Sequence, residues 1–392
     1  MGSNEVNHVE LHGRSYRLPS RPTVVICADG CDPAYVEAGL AARMLPTVAR
    51  WREAGFYALA DAVMPTFTNP NNLSIVTGAP PAVHGIAGNF ALDRASGAEI
   101  MMTDPAMVRG ATILALMSQA GVAVAAITAK DKLRRMLGSG LDIAGGGVCF
   151  SSEQADRCTR TEHGIEGVEA LVGRATPDMY SADLSLFVID AGIRLVEEGR
   201  ARLLYLSLSD YVQHGHAPNE PEALAFHRAL DDRLARLEEL GCVVAVTADH
   251  GMNDKALPDG EPHVLLLEDI LNAEFGAGAV RVICPITTRS CATTARSARS
   301  SGSIARTVCR SRPWRRRCTP CQGSTRCWPA TKPRRSMSSP TTARPISSSP
   351  ATATPYWARA RPNTICRRSP GTGCVRTAAP SSRPCRSCCR VR

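Results

Sequence analysis

Two patterns alternate through the first 288 residues of the chain. Short runs of β-branched and aliphatic residues, nearly free of charge, occupy 23–28, 122–128, 203–208 and 242–248. Runs this short and apolar read as strands, with 23–28 and 122–128 buried in a parallel sheet. The stretches between them repeat apolar residues at helical spacing. In 41–54, Leu45, Val48, Trp51 and Arg52 lie about a turn apart, which predicts one helix. In 184–198, Leu186, Ile189, Ile193 and Val196 share a face. Residues 221–240 are amphipathic, with acids and bases at helical offsets. Alternating strands and helices predict an α/β fold, a mostly parallel sheet with helices on both faces. Ligands bind such sheets beyond the carboxyl ends of the strands. There each predicted strand delivers a polar residue: Asp29, Lys130, Asp210 or Asp249.

Charge divides the chain. At 392 residues it is long enough to bury one large core or two ordinary ones. Of its 46 Lys and Arg, 23 fall within residues 285–392, which hold no acid; the preceding residues set the other 23 against all 36 Asp and Glu. The net charge of +10 therefore belongs to the tail, and the front is acidic like an ordinary cytoplasmic protein. Cysteine divides likewise: Cys27, Cys31, Cys149, Cys158, Cys242 and Cys284 lie in front, and the other ten of the 16 follow. Residues 1–20 are polar, without the apolar core of a secretory signal. No apolar run approaches the roughly 18 residues that cross a membrane. A reducing, cytoplasmic setting is expected, with the front cysteines as buried thiols.

Residues 289–392 carry neither the helical nor the strand period and are rich in Arg, Ser, Thr, Pro, Ala and Cys. Disordered basic tails are rarely this rich in Cys and Trp. A GC-rich gene translated out of frame gives this mixture. Back-translating residues 288–300 with GC-rich codons, restoring one G and regrouping, yields Asp-Pro-Leu-Val-Arg-His-His-Gly-Ala-Leu-Gly-Ser-Phe. Residues 375–379 regroup to Arg-Ser-His-Gly-Gly. The expected organisation is a catalytic core over 20–287 and an irregular, frameshifted tail over 288–392. Cys318, Cys321, Cys385 and Cys388 have zinc-ribbon pair spacing, but the pairs lie too far apart for one small module. Arg315, Arg316 and Arg317 could attract phosphates, yet no fold presents them. Neither nucleic acid nor membrane is an expected partner.

Three carboxylates, two imidazoles and a hydroxyl carry the candidate chemistry. Asp29 ends a strand with nothing polar to offset it, and a lone buried charge needs a partner. A metal cation is one; a helix cap for the segment after Pro33 is the plain alternative. Asp249 and His250 stand at another strand end. Both reach one cation only where the strand breaks, which Gly251 permits; a turn Asp beside a surface His is the alternative. Asp210 and His214, four apart, share one face of a helix or tight turn, as metal-binding pairs do. His216 is a weaker candidate, and a capping Asp beside a surface His stays open. Thr68 lies in a Pro- and Asn-rich turn near a helix start, where amides favour anions. Its hydroxyl, or that of Thr66, could attack phosphorus when metal-bound, or either could be a plain cap. The set suits two neighbouring divalent cations with a nucleophile between them. Yet no His follows His263, and no Asp or Glu follows Glu274.

These segments resemble the alkaline phosphatase superfamily. Phe67-Thr68-Asn69-Pro70-Asn71-Asn72, His84-Gly85-Ile86-Ala87-Gly88-Asn89 and Thr128-Ala129-Lys130-Asp131-Lys132-Leu133 resemble its phosphonoacetate hydrolase family more than its phosphodiesterases, over about residues 20–287. The resemblance implies two zinc ions. Asp29, Thr68, Asp249 and His250 would hold one. Asp210 and His214 would hold the other, with a third ligand from a late Ser-His-Gly-Gly segment, where this chain has Arg376-Thr377-Ala378-Ala379. It implies Thr68 as nucleophile, Asn89 as donor to a phosphonyl oxygen, and Lys130 and Lys132 at the substrate carboxylate. A solvated basic helix start beside Arg134 and Arg135 is the alternative for the lysines. The implied reaction cleaves phosphonoacetate to acetate and phosphate, impaired here by the lost His. A small phosphonate is the expected partner, and a homodimer is a possible assembly. A nucleotide pyrophosphatase or phosphodiesterase, an inactive metal-binding product and a tail-mediated nucleic-acid binder are the alternatives.

Overall fold

The computed structural model describes residues 7–283. The expected tail, its cysteine pairs and the 287/288 boundary lie outside the described residues. The chain opens with a hairpin of His8–Leu11 (β1) and Arg14–Arg17 (β2), then Thr23–Cys27 (β3). Helices Pro33–Ala41 (α1), Pro46–Ala54 (α2), Thr68–Thr77 (α3) and Pro81–His84 (α4) follow. A second hairpin pairs Phe90–Leu92 (β4) with Glu99–Met101 (β5). Next come Ile113–Gln119 (α5), Val124–Thr128 (β6), Asp131–Leu137 (α6) and Val148–Ser151 (β7). Short helices Arg160–His163 (α7) and Val168–Val172 (α8) precede Asp183–Glu197 (α9) and Leu203–Ser207 (β8). Tyr211–Gly215 (α10), Pro221–Glu239 (α11), Val243–Thr247 (β9) and Leu267–Phe275 (α12) complete the described part.

Five strands form one parallel sheet in the order β7-β6-β8-β3-β9, the α/β architecture that the alternation predicts. The central strands end level: Thr128 and Cys27 both pair with Ser207, and Cys27 also pairs with Thr247. Alternate side chains along a strand face opposite ways. Val24, Ile26, Ile127, Phe150 and Leu206 pack one face onto α9 and α11 through residues such as Phe187 and Leu234. Their neighbours Cys27, Val124, Ala126, Cys149 and Tyr205 pack the other onto Leu73, Leu114 and Met136 of α3, α5 and α6. The buried face of α9 is broader than the stripe its sequence predicts: Leu184, Phe187, Val188 and Leu195 are buried, whereas Leu186 and Val196 are half-buried. The helix comes so near β8 that a Cβ on Gly192 would lie 2.9 Å from Leu206 Cδ1.

Residues 41–54 are two helices and not one. The chain turns at Arg43, with φ of 58°, and restarts at Pro46, whose missing N–H suits a first helical position. The α2 start has no cap of its own. Asp231 on α11, buried, accepts from Thr47 N at 3.0 Å and Val48 N at 2.9 Å.

Among the described residues β9 is the margin of the sheet, with Val243 and Val246 each 43% exposed. An apolar cavity of about 470 Å³, lined by Trp51, Phe56, His227, Leu234 and Val244, flanks it. Cys27, Cys149 and Cys158 are buried free thiols, as expected; Cys31 and Cys242 are half-buried. No helix among the described residues is long and apolar enough to cross a membrane.

Candidate metal centre

Asp29 lies two residues beyond β3, Asp249 two beyond β9, Asp210 three beyond β8 and Lys130 two beyond β6. Because these strands end level, their tips gather at one edge of the sheet. Gly30 turns the chain there with φ of 66°. A Cβ at Gly30 would lie 3.1 Å from both Asp210 Cβ and Met252 Cε, so the approach also needs glycine.

One ligand atom from each of Asp29, Asp210 and His250 lies within 4.8 Å of the other two. His250 Nε2 is 3.2 Å from Asp29 Oδ1 and 3.9 Å from Asp249 Oδ2. His214 Nε2 is 2.7 Å from Asp210 Oδ2. Two donors at about 2.1 Å from one tetrahedral zinc stand roughly 3.4 Å apart, so the 3.2 and 3.9 Å spacings suit a shared cation, whereas His214 and Asp210 meet as a direct ion pair. His250 Nδ1 lies 2.9 Å from the Gly251 carbonyl oxygen and donates to it, which turns Nε2 toward the carboxylates. Asp249 Oδ1 accepts from Gly30 N at 3.3 Å and from His250 N at 3.1 Å. Asp29 Oδ1 is buried, and beyond its 3.2 Å ion contact with His250 Nε2 it has no hydrogen-bond partner.

The charges conflict unless cations are present. Burial first, then Asp210, raises the Asp29 carboxyl above its usual range. Burial and then Asp29 push Asp249 well above it. Burial opposes charge on His250, yet Asp29 and Asp249 outweigh it and lift the imidazole to about 10. Burial also opposes charge on Asp210, but His214, Lys130 and His250 together hold its carboxyl below the usual range. The pocket therefore retains protons that a divalent cation would displace. Three carboxylates, Asp29 with its unbonded oxygen among them, and two imidazoles fit such an ion.

The plain alternatives fare poorly. Asp32 and not Asp29 caps α1, accepting from Ala34 N at 3.0 Å. Asp210 occupies the first cap position of α10 but makes no capping bond. Thr68 is the first residue of α3; the cap position belongs to Phe67, which has no side chain to cap with, and Thr66 precedes it. Asn89 Oδ1 serves instead, accepting from Asn69 N at 3.1 Å and leaving Nδ2 to donate. His216 turns away to Glu220 and Glu222, at 3.1 and 3.6 Å. Gly251 is not in the left-handed region, so backbone freedom is not its role. A Cβ there would collide with Asp32 Oδ2. Lys130 Nζ lies 3.7 Å from Asp210 Oδ1, whereas Lys132 is exposed on α6 with no ion pair among the described residues.

Asn72 has no signal of its own in the sequence beyond lying in an Asn-rich turn. Its side chain donates from Nδ2 to Asp249 Oδ2 and to the Thr68 carbonyl, both at 3.1 Å. That amide ties the candidate nucleophile to the cluster.

Residues 23–299 match the type I phosphodiesterase / nucleotide pyrophosphatase family. Two solved structures of phosphonoacetate hydrolase from Sinorhizobium meliloti 1021 are similar to the chain. One, in complex with phosphonoformate, is 49% identical; the other, in complex with phosphonoacetate, is 48% identical. Each has a TM-score of 0.69 and covers 72% of this chain and 68% of that chain.

Proposed function

This chain belongs to the type I phosphodiesterase / nucleotide pyrophosphatase family, hydrolases of the alkaline phosphatase superfamily, and from that footing we propose that it is built to hydrolyse the carbon–phosphorus bond of phosphonoacetate with zinc. One observation carries the reading. The converging carboxylates and imidazoles lie beside Lys130, a cation suited to a substrate carboxylate, in a chain 48% identical to a hydrolase solved with phosphonoacetate.

Asp29, Thr68, Asp249 and His250 would hold one zinc ion, and Asp210 and His214 the other. Bound zinc supplies Lewis acidity, which acidifies a ligating hydroxyl and offsets charge on phosphonyl oxygens. Thr68 Oγ1 gives its proton to water and attacks phosphorus, and its bond to phosphorus forms as the carbon–phosphorus bond breaks. Asn89 Nδ2 donates to a phosphonyl oxygen. Lys130 and Lys132 stabilise the substrate carboxylate as it takes up the carbanion's charge as an enediolate. That carbon gains a proton from water, giving acetate. Water then hydrolyses the phosphothreonine, and phosphate leaves. With no His after His263, the Asp210–His214 ion lacks the third protein ligand that the resemblance implies, so this chain should work poorly. We read the cause as translation out of frame over 288–392, which resequencing across the Thr287 codon decides.

Phosphate release from phosphonoacetate with added zinc tests the function. Turnover as fast as that of the related hydrolase would sink the idea of impairment. Lys130→Ala and Lys132→Ala should each lower phosphonoacetate turnover roughly 10²-fold while an aryl phosphate ester loses far less; equal losses would remove the lysines from their role. Membership of this family over residues 23–299 favours a second reading, a nucleotide pyrophosphatase or phosphodiesterase, and preference for a diaryl phosphodiester over phosphonoacetate would establish it.

A further inference from the structure

Resting on that reading, we infer that Asn72 is a positioning residue that locks the Thr68 turn to Asp249. Asn72 is wholly buried on α3. Its Oδ1 accepts from Tyr205 Oη at 2.8 Å and from Ser207 Oγ at 3.3 Å. Both hydroxyls come from β8, so two donors on one strand pin the carbonyl end of the amide. Those hydroxyls could serve either end of an amide, but the Thr68 carbonyl can only accept, so the amine end faces it and the oxygen faces β8. Its two N–H bonds are spent on Asp249 Oδ2 and the Thr68 carbonyl, each at 3.1 Å.

The chemistry agrees with that orientation. Both Asp249 oxygens accept, and every group that meets them here is an N–H donor. The backbone N–H groups of Gly30 and His250 serve Oδ1, and Asn72 serves Oδ2. The same amine group holds the carbonyl of the residue proposed as nucleophile. Asn72 thus sets the direction of a metal ligand and the helix start together, without touching phosphorus or metal.

Chelator competition for zinc, together with the melting temperature of the metal-free chain, tests this. Asn72→Leu keeps the shape and removes the amide; it should weaken zinc binding roughly 10- to 100-fold. A double variant, Tyr205→Phe with Ser207→Ala, keeps Asn72 but strips both donors from its oxygen, loosening the amide, and should weaken binding roughly tenfold. If both variants bind zinc like wild type and only melt earlier, Asn72 is merely structural and the inference fails. If Asn72→Leu does not fold, the double variant decides alone, and an unchanged zinc Kd overturns the inference. A wild-type chain with no measurable zinc affinity overturns the metal-centre reading itself, a different result from variants that match a zinc-binding wild type.

Discussion

Asp29, Asp249 and His250 bind protons more tightly folded than unfolded, while Asp210 does the reverse. A raised folded pKa stabilises below the unfolded value and is lost as pH rises through the folded one. For His250 the loss runs from its ordinary value up to about 10, and the two raised carboxyls begin to lose theirs above the usual carboxylate range. Asp210 contributes constantly above that range, since its folded pKa is depressed. The metal-free chain should therefore melt at falling temperature as pH climbs from mildly acid to alkaline. Zinc affinity should climb over the same interval, with proton release visible by calorimetry in two buffers of different ionisation heat. Asp249→Asn should raise the metal-free melting temperature at alkaline pH and weaken zinc at least about 10²-fold. Asp29, Asp210 and Asp249 could be singled out because each lies two or three residues beyond an apolar run, whereas Thr68 and His214 rested on a turn and on spacing. Asn72 was not legible, because its partners other than the Thr68 carbonyl lie 133 to 177 residues away and no local pattern encodes them.

At the level of elements, patterning foretold the long units and missed the short ones. Periodicity marks α9, α11 and four of the five sheet strands, whose faces are fixed by burial. β7 is four residues long and the two hairpins are three or four residues a strand, too short to show a period. The spacing in 41–54 continues through a break made by Pro46 and by a cap from another helix. Asp231→Ala removes that cap and should cost about 1–2 kcal/mol in urea unfolding. A larger residue has no room where α9 meets β8, so Gly192→Ala should lose about 1–3 kcal/mol by the same measurement.

For the whole molecule, the fold class was legible since alternating strands and helices admit few architectures. The extent of the sheet was not, because a strand's sequence does not say what lies at its side. Natural sheets guard their margins with lysine, proline or bulges. Val243-Val244-Ala245-Val246-Thr247 has none of these among the described residues. Val243→Lys should reduce light scattering by concentrated protein; if scattering is unchanged, this strand is not the adhesive surface.

Such a margin decides more than solubility in a test tube. Were that strand to stay unpaired, overproduced polypeptide would accrete into inclusion bodies, and at ordinary levels chaperones would hold it and proteases would clear it. The cell would then know this gene product chiefly through its turnover.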